Sequence, residues 1–250
     1  MEDKDINKGL VIAKKAIFEA GNLLLKNKEI LSEVILSTNK DIKLKADILA
    51  EKAIKAIIEN ESDYPILAEE SGLSSKTIPN IFWVVDPLDG TANYARNIPI
   101  CCVSIALISD LKPVLGVIYD FINNDLYEGS TYTKALLNSR EISVSKITSS
   151  QEGILVTGLP NNTDYSDEAM LKMVKDFQSW RKVRMIGSAA MASVYVATGK
   201  ADVYKEFGTY LWDVAAGAAI VNAAGGTATI IDQRDNFQVD VFFSNSKILD

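Results

Sequence analysis

Ile6, Leu10, Ala13, Ile17, Ala20 and Leu24 recur at spacings of three and four, the stripe of an amphipathic helix that ends in the polar stretch around Lys26 to Glu29. A second stripe, Ala50, Ile54, Ile57 and Ile58, predicts a helix from about Asp47 to Asn60. Short apolar or alternating runs bounded by Gly, Pro and Asn follow at Ile66 to Ala68, Ile81 to Val85, Ile100 to Ile108, Val114 to Tyr119 and Asp125 to Gly129. They read as strands of one sheet, several in antiparallel hairpins. The second half continues the mixture, with strands at Gly153 to Gly158 and Ala201 to Glu206 and helices near Ser166 to Trp180 and Ser188 to Thr198. A helix starting at Trp212 or Asp213 stops at Gly225-Gly226 and leads into a strand from Thr227 to Asp232. Met185, Met191, Tyr195 and Trp180 read as core, and the small residues from Ser188 to Ser193 as close helix packing. Neither a linker nor a repeat interrupts the pattern, so residues 1–250 read as one composite unit with its softest boundary near residue 148.

Composition narrows the chemistry. The chain contains no histidine, which excludes a Ser-His-Asp triad, a Cys-His pair, a phosphohistidine and the usual zinc sites. Acid/base and metal chemistry must therefore rest on carboxylates. With 33 acidic against 26 basic residues, a formal charge of −7, the surface repels nucleic acid and anionic membranes, and no direct nucleic-acid partner is expected. Met1 to Leu10 lacks a signal-peptide core, and the apolar run Ile98 to Ile108 is too short to span a bilayer. The adjacent Cys101 and Cys102 are geometrically ill suited to an ordinary disulfide, so a reducing, cytoplasmic setting is expected.

The most informative segment is Trp83-Val84-Val85-Asp86-Pro87-Leu88-Asp89-Gly90-Thr91. A buried strand delivers Asp86 at its end, Pro87 is expected to stop the ladder, and Gly90 permits a tight turn. The run Ile66 to Ala68 also ends in acids, Glu69 and Glu70, and a strand pair would bring them to the same sheet end. Lys76 is the only basic residue between Glu69 and Asp89. Carboxylates clustered without a cation repel one another unless a divalent ion sits among them, and hard oxygen ligands without histidine select Mg2+ or Mn2+. Ala92 to Ala95 read as the first turn of a helix, whose Gly90 and Thr91 amides face outward as an anion site. No Gly-x-x-x-x-Gly-Lys loop is present, and the two aspartates stand too far apart for an aspartyl phosphatase. Read alone, Asp86 and Asp89 are turn formers, Asp47 a helix N-cap, Asp213 a helix-start acid and Glu206 a solvated residue.

Three pieces in order, Ala68-Glu69-Glu70-Ser71, Asp86-Pro87-Leu88-Asp89-Gly90-Thr91, and Leu211-Trp212-Asp213-Val214-Ala215-Ala216-Gly217 closing with Gly225-Gly226, resemble the inositol monophosphatase superfamily of Mg2+-dependent, lithium-sensitive phosphatases. Five specified residues in the central piece match by chance in about one chain of this length in ten thousand, at roughly 5% usage per residue. The resemblance spans about Asp41 to Gly226 and implies an α+β fold, the layered αβαβα sandwich of the inositol monophosphatase and fructose-1,6-bisphosphatase type.

Carried over by position, Glu69, Asp86 and the Leu88 carbonyl resemble the ligands of a first Mg2+, and Asp86, Asp89 and Asp213 those of a second. Glu69 also touches a weaker third site, and Mn2+ is able to substitute. Asp47 and Thr91 correspond to the pair that orients and deprotonates the attacking water, and the Gly90 and Thr91 amides to the phosphate contacts. Gly187, Ser188, Ala189 and Glu206, with Asp89 and Asp213, align with substrate contacts. The resemblance implies a phosphomonoesterase acting on a small phosphorylated metabolite, in a homodimer. Thr91-Ala92-Asn93-Tyr94 is similar to the inositol-phosphate branch, so inositol 1-phosphate or a related sugar monophosphate is expected as substrate. 3'-Phosphoadenosine 5'-phosphate stands second, since that branch carries Lys where this chain has Ala92, with fructose 1,6-bisphosphate and histidinol phosphate behind it. A regulatory protein of the same fold that contacts transcription or RNA-processing machinery is the rival from another class.

Overall fold

In the computed structural model, which describes residues 1–28, 34–37, 42–160, 164–231, 234 and 236–249, the two predicted N-terminal helices are α1 (Asp3–Lys26) and α2 (Lys45–Glu61). Ile6, Leu10, Ala13, Ile17, Ala20 and Leu24 of α1 and Ala50, Ile54 and Ile58 of α2 are buried, so the stripes face inward as the spacing requires. Glu29, the predicted end of the first helix, and Asp232, the end of the last predicted strand, lie outside the described residues. A two-stranded ribbon, β1 (Val34–Ser37) and β2 (Ile42–Leu44), joins the helices.

The five strands predicted in the first half fall in one eight-stranded sheet, in the order β10 (Arg140–Glu141), β9 (Leu136–Leu137), β8 (Asp125–Ser130), β7 (Lys112–Asp120), β6 (Cys102–Ser109), β5 (Ile81–Asp89), β3 (Ile66–Ala68) and β4 (Gly72–Leu73). The period of two separates its faces. Trp83, Val85, Val103, Ile105, Leu107, Leu115 and Val117 pack with α1 and α2, while Phe82, Val84, Ala106, Ile108 and Ile118 belong to a second core.

That second core is shared with α5 (Ala189–Ala197), α6 (Leu211–Ala223) and a five-stranded sheet ordered β12 (Lys182–Met185), β11 (Ile154–Thr157), β13 (Val203–Tyr210), β15 (Gln238–Ser244) and β14 (Thr227–Ile231). The short helix α3 (Thr91–Ala95) follows β5, and α4 (Asp167–Phe177) lies in the outermost layer, where Phe177 and Trp180 pack on Leu155, Val203 and Ile248. The layers thus run α, β, α, β, α. Two glycines let α6 sit close: a Cβ on Gly116 would lie 2.2 Å from the Ala216 carbonyl oxygen, and one on Gly217 2.2 Å from the Ser193 Cβ. This contact fixes where the first turn of α6, carrying Asp213, meets the large sheet.

Three expectations change. Pro87 does not stop the β5 ladder: pairing runs to Asp86↔Ser104, shifts register, and resumes at Asp89↔Cys102, so Pro87 and Leu88 form a bulge. Met185 is not core but is 49% exposed at the end of edge strand β12, where Lys182 and Arg184 are also exposed. The strand predicted over Ala201 to Glu206 continues to Tyr210 past a second bulge at Gly208, whose φ is 80°. No helix among the described residues is long and apolar enough to cross a membrane.

Candidate active site

The bulge at the end of β5 sets the geometry. Asp86, 2% exposed, turns its Oδ1 back to accept the Leu88 amide at 3.0 Å. Gly90 follows at φ 88°, and a Cβ there would lie 2.8 Å from the Ile100 carbonyl oxygen, so both backbone sign and space demand glycine. α3 then begins at Thr91, and its first amides have no intrahelical acceptor. The Thr91 Oγ1 lies 3.0 Å from Asp47 Oδ1 and 3.0 Å from the Leu88 carbonyl, with one hydrogen to donate between them.

Four further segments converge here. β3 lies parallel to β5, Ala68 beside Val85, and the Glu69 amide continues the ladder to the Val85 carbonyl at 3.2 Å. Buried Glu51 on α2 accepts the Glu70 amide at 2.8 Å, which anchors the segment that presents Glu69. Asp47 is the third residue of α2, not its N-cap: its Oδ2 accepts the Leu44 amide at 2.8 Å while Oδ1 faces Thr91. Asp213 is likewise third in α6, and its Oδ2 accepts the Tyr210 amide at 2.9 Å and the Thr209 hydroxyl at 2.7 Å. Asp89 reaches the start of α5, where its Oδ2 accepts the Ala190 amide at 2.7 Å and the Ser188 hydroxyl, and its Oδ1 the Ala189 amide at 3.3 Å.

The electrostatics follow from that crowding. Burial raises the Glu69 carboxyl well above the usual range, Asp213 and Asp47 raise it further, and a hydrogen bond with Asp86 opposes them. Asp86 is raised by burial first, then by Glu69, Asp89 and Asp213. For Asp89 burial again leads, against the hydrogen bonds from Ser188 and Ala190. Glu69 as a whole residue is exposed, while the protein packed around its carboxyl end desolvates the charge. No cation stands among the leading influences on these three acids.

This donor set has the chemistry of a hard divalent ion's site: several buried carboxylates raised by burial and crowding, oxygen throughout, and no histidine in the chain. Its spacing is that of carboxyls hydrogen-bonded to protein. Among the described residues no three His, Cys, Asp or Glu side chains stand close enough to hold an ion as they are, with Asp89 turned to α5 and Asp213 to its own first turn.

The predicted substrate contacts fall beside this cluster. Glu206 is pushed up to about 8 by burial, with Asp213 and Asp89 adding to the rise and the Tyr204 hydroxyl, 3.1 Å from Oε2, opposing it. It is half-buried overall, but its carboxyl packs against Gly158, where an added Cβ would lie 2.5 Å from Oε2. Ser188 and Ala189 bind Asp89, and Ser188 Oγ also caps α5 by accepting the Met191 amide at 3.1 Å. In the sequence Asn93 serves only to distinguish branches, and no local pattern marks Glu51. In the structure the Asn93 amide lies 2.8 Å from both the Ile100 and Ile186 carbonyls, so α3 holds the loop before Gly187.

A layered sandwich of this kind, with acids gathered at one end of its large sheet, defines a phosphomonoester hydrolase. The chain belongs to the inositol monophosphatase family, whose family model matches residues 5–249. It is 41% identical over 219 residues to the Nus factor SuhB of Xylella fastidiosa, covering 86% of this chain and 79% of that one. To the inositol-1-monophosphatase of a Synechocystis species it is 39% identical over 201 residues, 77% and 68% of the two chains. The solved inositol monophosphatase from an Anabaena (Nostoc) species superposes with a TM-score of 0.85 at 32% identity, covering 98% of this chain and 93% of the other.

Proposed function

We propose that the chain hydrolyses inositol 1-phosphate or a related sugar monophosphate in a Mg2+-dependent reaction. The observation that carries this is the convergence of Glu69, Asp86 and Asp89 on the Gly90–Thr91 turn, with Asp89 and Asp213 raising both Glu69 and Asp86. Glu69, Asp86 and the Leu88 carbonyl would hold one Mg2+, and Asp86, Asp89 and Asp213 another. Bound there, the ions supply positive charge to the transferring phosphoryl group and acidify the attacking water. The Thr91 hydroxyl, donating to Asp47 Oδ1, turns a lone pair outward to orient that water and to accept its proton as Thr91 passes its own to the Asp47 carboxylate. The Gly90 and Thr91 amides bind phosphate, and a protonated Glu206 donates to a substrate hydroxyl. Ser188 and Ala189 orient Asp89.

Phosphate release from inositol 1-phosphate, 3'-phosphoadenosine 5'-phosphate, fructose 1,6-bisphosphate and histidinol phosphate, with Mg2+, Mn2+, Li+ or chelator, tests the reading. Turnover of the first that needs Mg2+ or Mn2+ and falls with Li+ supports it; full turnover in excess chelator, or preference for another of the four, refutes it. The reading places the enzyme in the cytoplasm as a homodimer. The likeness to a relative named a Nus factor favours a second role in transcription, tested by asking whether Asp213→Asn, inactive as a phosphatase, still binds RNA polymerase or its factors.

A further inference from the structure

Ser104 stands in the middle of β6, 1% exposed, and its Oγ is the one buried side-chain nitrogen or oxygen without a hydrogen-bond partner among the described residues. The ladder places it directly opposite Asp86. Opposite residues of an antiparallel pair project to the same face, with Cβ atoms about 4.5–5.5 Å apart. Around it on that face lie Val84, Ala106 and Ile118, all apolar, and Cys102, whose thiol is 3.9 Å from Asp89 Oδ2.

A buried hydroxyl left without an acceptor is destabilising, and alanine would suit these neighbours better. The arrangement makes sense if the acceptor appears in another state of the site. Here the Asp86 carboxyl accepts the Leu88 amide at 3.0 Å and leaves Ser104, opposite it in the ladder, unused. A cation held by Asp86 would occupy part of its lone-pair capacity and leave a lone pair on the β6 side open to a donor. Ser104 reaches it by rotation about its own side-chain bonds.

We infer that Ser104 is a positioning residue, whose hydroxyl donates to the Asp86 carboxylate and fixes it when a divalent ion is held. The inference rests on the reading that Asp86 holds Mg2+. Partners of this outer kind change metal affinity by about 10- to 100-fold. The test is calorimetric titration of Mg2+ into chelator-stripped wild type, Ser104→Ala and Ser104→Thr, with melting curves of the stripped proteins. Stripped Ser104→Ala should melt at or above wild type, having lost only an unpartnered group, while its Mg2+ Kd rises about 10-fold or more; Ser104→Thr, which keeps the hydroxyl, should stay within about threefold of wild type. An unchanged Kd in Ser104→Ala overturns the inference alone, as does a stripped variant that melts well below wild type or fails to fold, since the hydroxyl then has a partner without the ion. Wild type that binds no Mg2+ overturns the parent reading together with it.

Discussion

Asp47→Asn separates the chemistry of the candidate site from the architecture that holds it. Asp47 accepts the Leu44 amide at 2.8 Å through Oδ2 and faces Thr91 Oγ1 at 3.0 Å through Oδ1. An asparagine keeps the first through its amide oxygen and turns its NH2 to Thr91. The Thr91 hydroxyl then accepts from that NH2 and donates to the Leu88 carbonyl, already 3.0 Å away. These hydrogen bonds remain satisfiable, so the expected stability change is under about 1 kcal/mol, at the low end of the roughly 0.5–2 kcal/mol that loss of a helix-start acceptor costs. The rate should not survive so well. With its lone pair engaged by an NH2 and no carboxylate behind it, Thr91 can no longer take a proton from water, and general-base help of about 10² to 10⁴ in kcat is lost. That is about 2.7–5.5 kcal/mol of barrier at 1.36 kcal/mol per tenfold.

Thr91→Ala breaks the same relay from its other end and should cost a similar factor, so the double variant should be little worse than either single one. KM should move little, since the phosphate is assigned to backbone amides that both substitutions leave in place. The assay is steady-state phosphate release at saturating Mg2+ for both single variants and the double, with denaturant unfolding of each. Wild-type kcat in Asp47→Asn, or fully additive losses in the double variant, would refute the relay and return Asp47 to a purely structural role.

Asp213→Asn should abolish turnover yet leave the chelated protein as stable as wild type or more so, because the amide oxygen still accepts from Tyr210 and Thr209 while one member of a repelling cluster is gone; an undiminished Mg2+-induced rise in Tm would place Asp213 outside the site. Gly90→Ala should lower Tm, through a left-handed backbone that costs about 1–2 kcal/mol and a Cβ 2.8 Å from the Ile100 carbonyl oxygen, and should raise KM; wild-type Tm and KM would contradict the turn geometry. Glu206 ionises near 4.5 when unfolded and about 8 when folded, so between those values the folded state binds more protons and stability falls as pH rises; in chelated protein Glu206→Gln should flatten that fall, and parallel stability curves from pH 5 to 9 would show the carboxyl to be ordinary.

Much of the fold is legible because each predicted element has one period and one buried face. α1 and α2 carry clean stripes, and β3, β5, β6 and β7 are apolar runs buried on both sides. The missed strands lack that signal. β12 is an edge with Lys182, Arg184 and Met185 exposed, β9 and β10 have two residues each, and β15 carries Asp240 among its apolar positions. Asp240 is tolerated there because it accepts the Gly208 amide at 2.7 Å and pairs with Arg234 at 3.2 Å, contacts no local pattern encodes. In the site, the acids of the Asp86–Thr91 segment were legible as a group because the turn itself brings them together. Glu51, Asn93 and the seat of Asp89 on α5 depend on contacts between residues 7 to 101 positions apart, which only the folded chain supplies.

The ambiguity of Asp47 and Asp213 in the sequence has a structural cause. Each is the third residue of its helix and spends one oxygen on the backbone amide of the residue that precedes that helix, Leu44 or Tyr210. For Asp47 the other oxygen faces Thr91; for Asp213 the charge acts on Glu69, Asp86 and Glu206. Reading one as a helix-start acid and reading it as a site carboxylate are therefore two descriptions of one side chain. Such an anchor also suits the chemistry, because a carboxylate held by its own helix cannot swing away to relieve repulsion from its neighbours. Helix formation thereby stabilises an acid cluster that electrostatics opposes, and it follows that asparagine, which preserves the anchor, isolates the charge in a way alanine cannot.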